Sequence, residues 1–451
     1  MVFESCIFIE NKLIKMQRFS YSLLLLFLIS CKTNYKTFEE LSLKAKLEVL
    51  FPKSEVTSIQ TNDHFKEAYQ VVLEQNLNPK NKEEGTFKHY MYINNVDYKN
   101  PTVLITDGYA SRNRTTELSK LLKANQVIVE YRMYGKSRPD SIPWKYLTND
   151  NAIEDYHSIV SKLKKIYTGK WLSSGISKGG ETTLIYKSKY PEDVDVAVPY
   201  VAPLINGLED TRTNELINSV GTEECRNNIK KFQRAVLENR KAILKLLSDY
   251  AEEKKMSFTE VPQEEALEYS VLELPFSFWQ WGGKCEEIPN EKASVQELFN
   301  YLEKVSGFGL YNDNGFNYYL PSFYQHIKEL GYYGFDLEPV KDLLKVVKRS
   351  SNDRFAPKNT DLTYDANYIK KVREFIENKG NKILYINGAY DPWGACAPIP
   401  KPNVDALKMT LAKGSHATRI KDFSKEDQQK IYKTLQRWLG DEVKIYPLYK
   451  N

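Results

Sequence analysis

Short apolar segments alternate with helical ones in the first half of the chain. Four segments rich in Val, Leu and Ile have the length of buried β-strands: Thr102–Thr106, Gln126–Glu130, Lys170–Ser174 and Val194–Val198. Between the second and the third of these segments, residues 152–167 have the apolar spacing of an amphipathic helix. Apolar strands that alternate with helices indicate a parallel sheet covered on both faces. The pattern therefore predicts an α/β fold.

Different patterns precede and interrupt this region. Upstream, HFKEAYQVVLEQ and GTFKHYMYIN predict two antiparallel strands on either side of a turn at 78–81. After residue 205 long amphipathic helical segments take over: 227–254, 295–305 and 366–378. Strand patterns return at 382–386 and 409–411. We therefore expect a sheet core formed by residues 32–205 and 381–451, with a mostly helical cap inserted over 206–380.

The first 31 residues have the layout of an export signal. Basic Arg18 precedes the apolar run Leu23–Ile29, which is too short to span a membrane. The end of this run, Leu28-Ile29-Ser30-Cys31, resembles a bacterial lipobox. We predict a signal peptide over 1–31 with the true start at Met16 and lipidation of Cys31. The exported protein is then expected in the bacterial cell envelope, anchored to a membrane by its lipid and facing either the periplasm or the cell surface. An ordinary secretion signal with unmodified Cys31 is the alternative.

Composition narrows the function classes. The chain has 451 residues, 41% of them hydrophobic, and a net charge of +5 from 64 basic and 59 acidic residues, with no basic block that would indicate a nucleic-acid partner. Cys225, Cys285 and Cys396 follow the leader without CxxC spacing, and the chain has no phosphate-binding or dinucleotide glycine motif. We expect no metal and no cofactor. A disulfide between Cys225 and Cys285, both in the insertion, is the preferred pairing, and free thiols are the alternative.

One pentapeptide carries candidate chemistry. Gly175-Ile176-Ser177-Lys178-Gly179 matches G-x-S-x-G, the nucleophile elbow that lifts a serine out of a sheet at a sharp strand-to-helix turn. A predicted strand precedes it, and a helical pattern follows it until Pro191. The glycines lack the Cβ atoms that would clash where strand and helix approach. Ser177 is therefore the candidate nucleophile.

A serine nucleophile needs a base and an orienting acid. In the α/β-hydrolase order both follow the serine, and of the five histidines only His326 and His416 do so. His326 lies in the insertion, whereas His416 follows the last predicted strand. Asp391 follows the strand before it, at a glycine turn. We predict the triad Ser177, Asp391 and His416, with a Ser–Lys dyad as the weaker alternative.

Two backbone N–H groups are candidates for an oxyanion hole. Lys178 directly follows the nucleophile, and Tyr109 lies in the loop after the strand 102–106. Donors from these two positions bind the negative oxygen in α/β-hydrolases.

The motifs together resemble a known family. GISKGG followed by YPEDVDVAVPYVAPL, with NQVIVEYRMYGKSRP upstream and NGAYDPW and GSHAT downstream, resembles the secreted bacterial tripeptidyl aminopeptidase family of serine peptidases, relatives of the prolyl carboxypeptidase and dipeptidyl peptidase group. The resemblance covers about residues 50–440. It implies an α/β-hydrolase fold, the same triad, and an exopeptidase that removes tripeptides, often ending in proline, from free N-termini. One departure is Glu130-Tyr131-Arg132, where Glu-His-Arg is expected.

The insertion contains candidates for substrate contact. Phe276, Phe278, Trp279 and Trp281 are typical of an apolar pocket for a proline ring. Glu268 and Glu273 could hold the substrate ammonium, and Glu130 is a further substrate-binding candidate. The alternative for each aromatic residue is a place in the core of the insertion itself. For the whole protein, the alternatives are an esterase or lipase on the same scaffold and a catalytically silent lipoprotein that binds peptides or glycans.

Overall fold

The computed structural model describes residues 37–290 and 292–448. It divides into two units, 1–49 and 50–451. The described part of the first contains a 3₁₀ turn at Phe38–Glu40 and most of helix α1 (Leu43–Leu50). The predicted signal peptide, Met16 and Cys31 lie outside the described residues. Across the described ranges, none of the helices has both the length and the apolar character that crossing a membrane requires.

A single sheet organises the second unit. Its described strands are β1 (Glu55–Ile59), β2 (Glu67–Asn78), β3 (Asn81–Asn95), β4 (Thr102–Thr106), β5 (Asn125–Val129), β6 (Trp171–Ile176), β7 (Val196–Tyr200), β8 (Ile383–Gly388) and β9 (Ala406–Leu411). They lie in the order β1-β2-β3-β5-β4-β6-β7-β8-β9. The first three are antiparallel to their neighbours, and the six from β5 to β9 are parallel.

The parallel strands are covered on both faces. Every residue of β4, β5, β7 and β8 is buried, as expected for strands between two helical layers. The helices between these strands are α2 (Glu117–Leu122), α3 (Asn149–Leu163) and α4 (Lys178–Lys189). From β2 onward, the strand order with its exchanged β5 and β4 is that of the α/β-hydrolase fold. The predicted fold class is confirmed.

Seven described α-helices lie between β7 and β8: α5 (Arg212–Ile217), α6 (Glu223–Glu238), α7 (Arg240–Lys254), α8 (Gln263–Gln280), α9 (Val295–Val305), α10 (Asp313–Gln325) and α11 (Ala366–Lys379). The first six share one hydrophobic core and form the cap, whereas α11 packs against α4 of the sheet core. The single helix expected to run on to Lys254 is two helices that meet at Asn239. The Asn239 side-chain amide donates to the Ala235 carbonyl at 2.9 Å. A side chain that bonds the end of the preceding helix in this way ends that helix. Cys225 and Cys285, in the cap, form a disulfide.

The last helix completes the layer beneath the sheet. Helix α12 (Lys425–Leu439) buries Ile431, Leu435, Trp438 and Leu439 against residues of β6, β7 and β8. These four positions recur at helical spacing, so that one stripe of α12 faces the sheet. The carboxyl ends of the parallel strands are left to carry the loops that follow them.

Candidate active site

Ser177 occupies the turn between β6 and α4. Its backbone has φ 58° and ψ −127°, a conformation that non-glycine residues rarely adopt. Its N–H donates to the Tyr200 carbonyl at 2.9 Å, and its hydroxyl makes no capping hydrogen bond to α4. The half-buried serine therefore has the strained backbone of a nucleophile elbow and a hydroxyl that its own helix does not use.

The glycines of the elbow lie against backbone. A Cβ atom on Gly175 would lie 2.1 Å from the Gly179 carbonyl oxygen, and one on Gly179 would lie 2.5 Å from the Thr106 carbonyl oxygen. Both distances are shorter than any ordinary contact. Strand, turn and helix can approach this closely only because neither residue has a side chain.

Asp391 and His416 form a buried pair at the ends of β8 and β9. The Nδ1–H of His416 donates to Asp391 Oδ2 at 2.7 Å, and Asp391 Oδ1 accepts the Trp393 N–H at 3.2 Å. Both side chains are almost fully buried. An aspartate on Nδ1 leaves Nε2 of the neutral ring as the basic nitrogen. The pair thus has the geometry of a base held by its orienting acid.

The sheet brings these loops to one edge. β6, β7, β8 and β9 are consecutive parallel strands, so the residues that follow them lie at the same end of the sheet. The Val201 N–H donates to the Ile386 carbonyl at 2.7 Å, and the Tyr390 N–H donates to the Gly414 carbonyl at 2.8 Å. The first bond joins the residue after β7 to strand β8, and the second joins the turns after β8 and β9. Ser177, Asp391 and His416 therefore share the carboxyl edge, as the predicted triad requires.

The loop after β4 packs on the elbow. A Cβ atom on Gly108 would lie 2.6 Å from the Gly179 nitrogen, so this loop touches the first turn of α4. The Lys178 ammonium donates to the Gly108 carbonyl at 3.0 Å. Burial lowers the pKa of Lys178 to about 7, although the nearby carboxyl groups of Glu181 and Glu329 favour its charged form. Because this ammonium binds the loop, the contacts do not support a Ser–Lys dyad.

Only one predicted aromatic residue has an accessible ring beside the triad. Trp281 is 61% exposed, and its ring centroid lies 5.5 Å from that of His416. Phe278 and Trp279 are buried in the cap core, where Trp279 fills the space beside Gly221. The prediction that Phe278 and Trp279 contact a proline ring of the substrate is therefore wrong, because both side chains belong to the cap core. Phe276 is also buried, stacked on Tyr333 at 4.0 Å.

The three acidic candidates have different surroundings. Glu268 is fully buried and accepts hydrogen bonds from Arg240 and from the backbone N–H groups of residues 345–347. It has no room for a substrate ammonium, so this prediction is corrected: Glu268 holds the cap together. Glu130 accepts the N–H groups of Ser111 and Ser137 and joins two core loops, and burial raises its pKa.

Glu273 is the acidic candidate at the boundary of cap and core. This half-buried residue accepts the Tyr333 hydroxyl at 2.5 Å and the Ser277 hydroxyl at 2.9 Å. Burial raises the pKa of Glu273 to about 7. The Tyr333 ring lies 5.3 Å from the ring of Trp393, two residues after the catalytic candidate Asp391. No sequence pattern marks Tyr333 and Trp393 as neighbours of the site, because only the folded chain brings these distant residues together.

No group of three or more His, Cys, Asp or Glu side chains suited to a metal ion occurs among residues 37–290 and 292–448. The site that these residues do contain consists of an elbow serine, a His–Asp pair and a loop packed against the first turn of the following helix. These are the parts of an α/β-hydrolase with a serine nucleophile.

Comparison with known proteins identifies the family. The family model described as PS-10 peptidase S37 matches residues 58–440. The chain therefore belongs to the S37 peptidase family and is a serine peptidase. This confirms the resemblance stated from the motifs.

Individual relatives cover the chain to different extents. A prolyl tri/tetrapeptidyl aminopeptidase of Streptomyces mobaraensis is 28% identical over 376 residues, which are 81% of this chain and 79% of the relative. Prolyl carboxy peptidase like protein 5 of Caenorhabditis elegans is 28% identical over 140 residues, 27% of this chain and 28% of the relative. Among solved structures, the proline iminopeptidase of Mycobacterium smegmatis covers 85% of this chain and 98% of its own, at 13% identity and a TM-score of 0.37.

Proposed function

We propose that this protein is an exported aminopeptidase that releases tripeptides, with proline at the cleavage site, from peptides with free N-termini. The observation that carries the proposal is the His416–Asp391 pair at 2.7 Å, on the same sheet edge as the strained Ser177, in a chain of family S37. The similarity to a prolyl tri/tetrapeptidyl aminopeptidase supports the substrate class.

The proposed reaction is acyl transfer through the serine. Ser177 Oγ attacks the carbonyl carbon of the scissile bond while His416 Nε2 takes its proton. The backbone N–H groups of Lys178 and Tyr109 bind the negative oxygen. The C–N bond then breaks, and His416 gives the proton to the leaving amine. Water repeats these steps on the acyl-enzyme and releases the tripeptide.

The spacing of residues along α8 supports the proposed length of the released peptide. The Gln280 carbonyl accepts the His416 N–H at 2.8 Å, so the end of this helix adjoins the triad. Glu273 lies seven residues earlier, which is about 10 Å along the helix axis. An extended tripeptide also spans about 10 Å. A Glu273 carboxylate that binds the substrate ammonium would therefore leave the third carbonyl at the serine, and this match supports tripeptide release.

The exposed ring of Trp281 supports a preference for proline at the cleavage site. It stands beside His416 and offers an apolar face to the residue whose carbonyl is attacked. A proline ring would pack on this face and remove apolar surface from water.

The disulfide between Cys225 and Cys285 supports export, because disulfides persist in oxidising compartments. The lipid anchor at Cys31 remains a separate proposal. Metabolic labelling with a palmitate analogue tests it: the full chain should take up label, and Cys31→Ser should not.

The proposed activity is tested by mass spectrometry of a defined peptide library after digestion. The wild type should release N-terminal tripeptides, most rapidly those ending in proline, and Ser177→Ala should release nothing. N-terminal acetylation of the same peptides should block cleavage. Internal cuts, or cleavage of acetylated peptides, would contradict the aminopeptidase. Rapid hydrolysis of short-chain esters without amide cleavage would instead favour an esterase.

A further inference from the structure

The side chain of Lys178 makes an unusual contact beside the nucleophile. This lysine is 3% exposed, and its Nζ lies 3.0 Å from the Gly108 carbonyl oxygen. Nζ also lies 3.8 Å from the centre of the Tyr131 ring, and the rings of Tyr134 and Tyr109 stand at 5.3 Å and 5.7 Å. Three tyrosines therefore enclose the amino group and direct it at one backbone carbonyl.

That carbonyl belongs to the same peptide unit as one candidate oxyanion donor. The Gly108 carbonyl and the Tyr109 N–H share a planar trans peptide, so they point in opposite directions. Fixing the oxygen therefore fixes the direction of the N–H. A donor on the oxygen also polarises the peptide unit and strengthens its N–H as a donor.

The neighbouring residues of the loop are held by other groups. The Asp107 carboxylate binds Arg114 and Ser111, and the Tyr109 carbonyl accepts the Tyr131 N–H at 3.2 Å. Within the described ranges, the Tyr109 N–H itself has no hydrogen-bond partner. The peptide between Gly108 and Tyr109 thus has one side-chain donor on its oxygen and an N–H left available to a substrate.

From these contacts we infer that Lys178 is a positioning residue that orients the Tyr109 N–H of the oxyanion hole through the Gly108 carbonyl. The inference rests on the proposed acyl transfer through Ser177. Nζ can donate to the carbonyl as an ammonium or as a neutral amine, so both forms hold the peptide. Lys178 therefore has two roles at the oxyanion hole. Its backbone N–H is one of the two donors, and its side chain orients the other donor, the backbone N–H of Tyr109.

The test separates transition-state stabilisation from substrate binding. Lys178→Met removes the donor and keeps most of the side-chain volume. It should lower kcat on a chromogenic tripeptide anilide ending in proline by about 10- to 100-fold, with KM within about two-fold, because an oxyanion donor acts in the transition state. The rate of fluorophosphonate labelling of Ser177 should fall in parallel. Lys178→Arg, which retains a donor, should recover part of kcat.

Lys187→Met is the matched control. Lys187 is also buried in α4, and its Nζ donates to the carbonyls of Pro191 and Val194, away from the elbow. This variant should lose stability but keep kcat per folded molecule. If Lys178→Met labels at the wild-type rate, or loses activity only in proportion to its unfolded fraction, the inference is overturned. If Lys178→Met does not fold, Lys178→Arg provides the test. A Lys178→Arg enzyme with altered KM and unchanged kcat would also overturn the inference.

The two proposals fail in different ways. A folded wild type that does not react with the fluorophosphonate would refute Ser177 as nucleophile. A wild type that reacts, with a folded Lys178→Met enzyme that reacts equally fast, would refute only the role of Lys178.

Discussion

The His416 backbone N–H donates to the Gln280 carbonyl at 2.8 Å, so the loop with the candidate base is tied to the last residue of cap helix α8. The next residue, Trp281, leaves the helix with its ring edge-on to the His416 imidazole. Helix α8 therefore carries Glu273, the predicted ammonium-binding carboxylate, and the residue that follows the helix supplies the exposed ring beside the triad. The cap and the catalytic loop are connected directly at this point.

Replacing Trp281 should affect substrate binding more than chemistry. Trp281→Ala removes the apolar face proposed for proline, so KM for tripeptide anilides ending in proline should rise about 10-fold, since such a contact contributes about 1.5 kcal/mol. Steady-state kinetics measure this effect, and the fluorophosphonate labelling rate should stay within about two-fold. Tyr446→Ala, another exposed aromatic position, serves as control. Unchanged KM with slower labelling would instead indicate that Trp281 acts on His416.

Asp391→Asn should lower kcat by about 10⁴-fold, because an amide no longer selects the imidazole tautomer that accepts the serine proton. Burst and steady-state kinetics on a chromogenic tripeptide substrate measure the loss. The chain offers a matched pair: His157 Nδ1 and Asp193 Oδ2 also lie 2.7 Å apart, outside the active site. Asp193→Asn should keep full activity. An Asp391→Asn enzyme with a tenth or more of wild-type kcat would contradict the assignment of the acid.

Binding of the free N-terminus should depend on pH through Glu273. Below pH about 7 this carboxyl is protonated and loses its attraction for an ammonium, so KM should fall as the pH rises through 7. It should rise again above about 8, where the peptide amine loses its proton. The profile of KM against pH for a tripeptide anilide measures both limbs.

Glu273→Gln should remove the lower limb of that profile and raise KM about 10- to 100-fold at neutral pH, the cost of one charge-assisted hydrogen bond, with little change in kcat. Glu264→Gln, on the same helix and half-exposed, is the control. A Glu273→Gln enzyme that keeps the wild-type pH profile would show that another group binds the amine.

Gly175→Ala should abolish activity, because the added methyl group would lie 2.1 Å from the Gly179 carbonyl oxygen and force the elbow apart. Fluorophosphonate labelling reports the geometry of Ser177 directly and should be lost. Gly207→Ala adds the same methyl group where no atom beyond the adjacent residues lies within 4 Å, and it should behave as wild type. Normal labelling of Gly175→Ala would mean that the turn can relax.

Loss of the cap disulfide should lower stability. The bond between Cys225 and Cys285 spans 60 residues, and closing a loop of this length stabilises a fold by about 4 kcal/mol through the unfolded chain. Cys225→Ala with Cys285→Ala should therefore unfold at lower urea concentration, as measured by circular dichroism. Cys396→Ala, at the buried free cysteine, controls for loss of a sulfur atom. An unchanged midpoint in the double variant would contradict this contribution.

The sequence alone predicts the parallel strands, the serine turn and the order of the candidate triad residues. The strands from β4 to β9 are short apolar runs whose positions periodicity gives to within a few residues, and the Gly175–Gly179 pattern is confined to one local turn. The order of Ser177, Asp391 and His416 along the chain then suffices to propose a triad, because consecutive parallel strands deliver their following loops to one edge of the sheet.

The direction of individual side chains was decided only by the tertiary structure. Helix α8 buries residues on all its faces, including Glu268, Phe278 and Trp279. No polar stripe in its sequence therefore separates the face toward the cap core from the face toward the triad. The partners of Glu268 and of Lys178 come from distant parts of the chain. Local sequence determines which elements form, whereas long-range packing determines which of their side chains are left to meet a substrate.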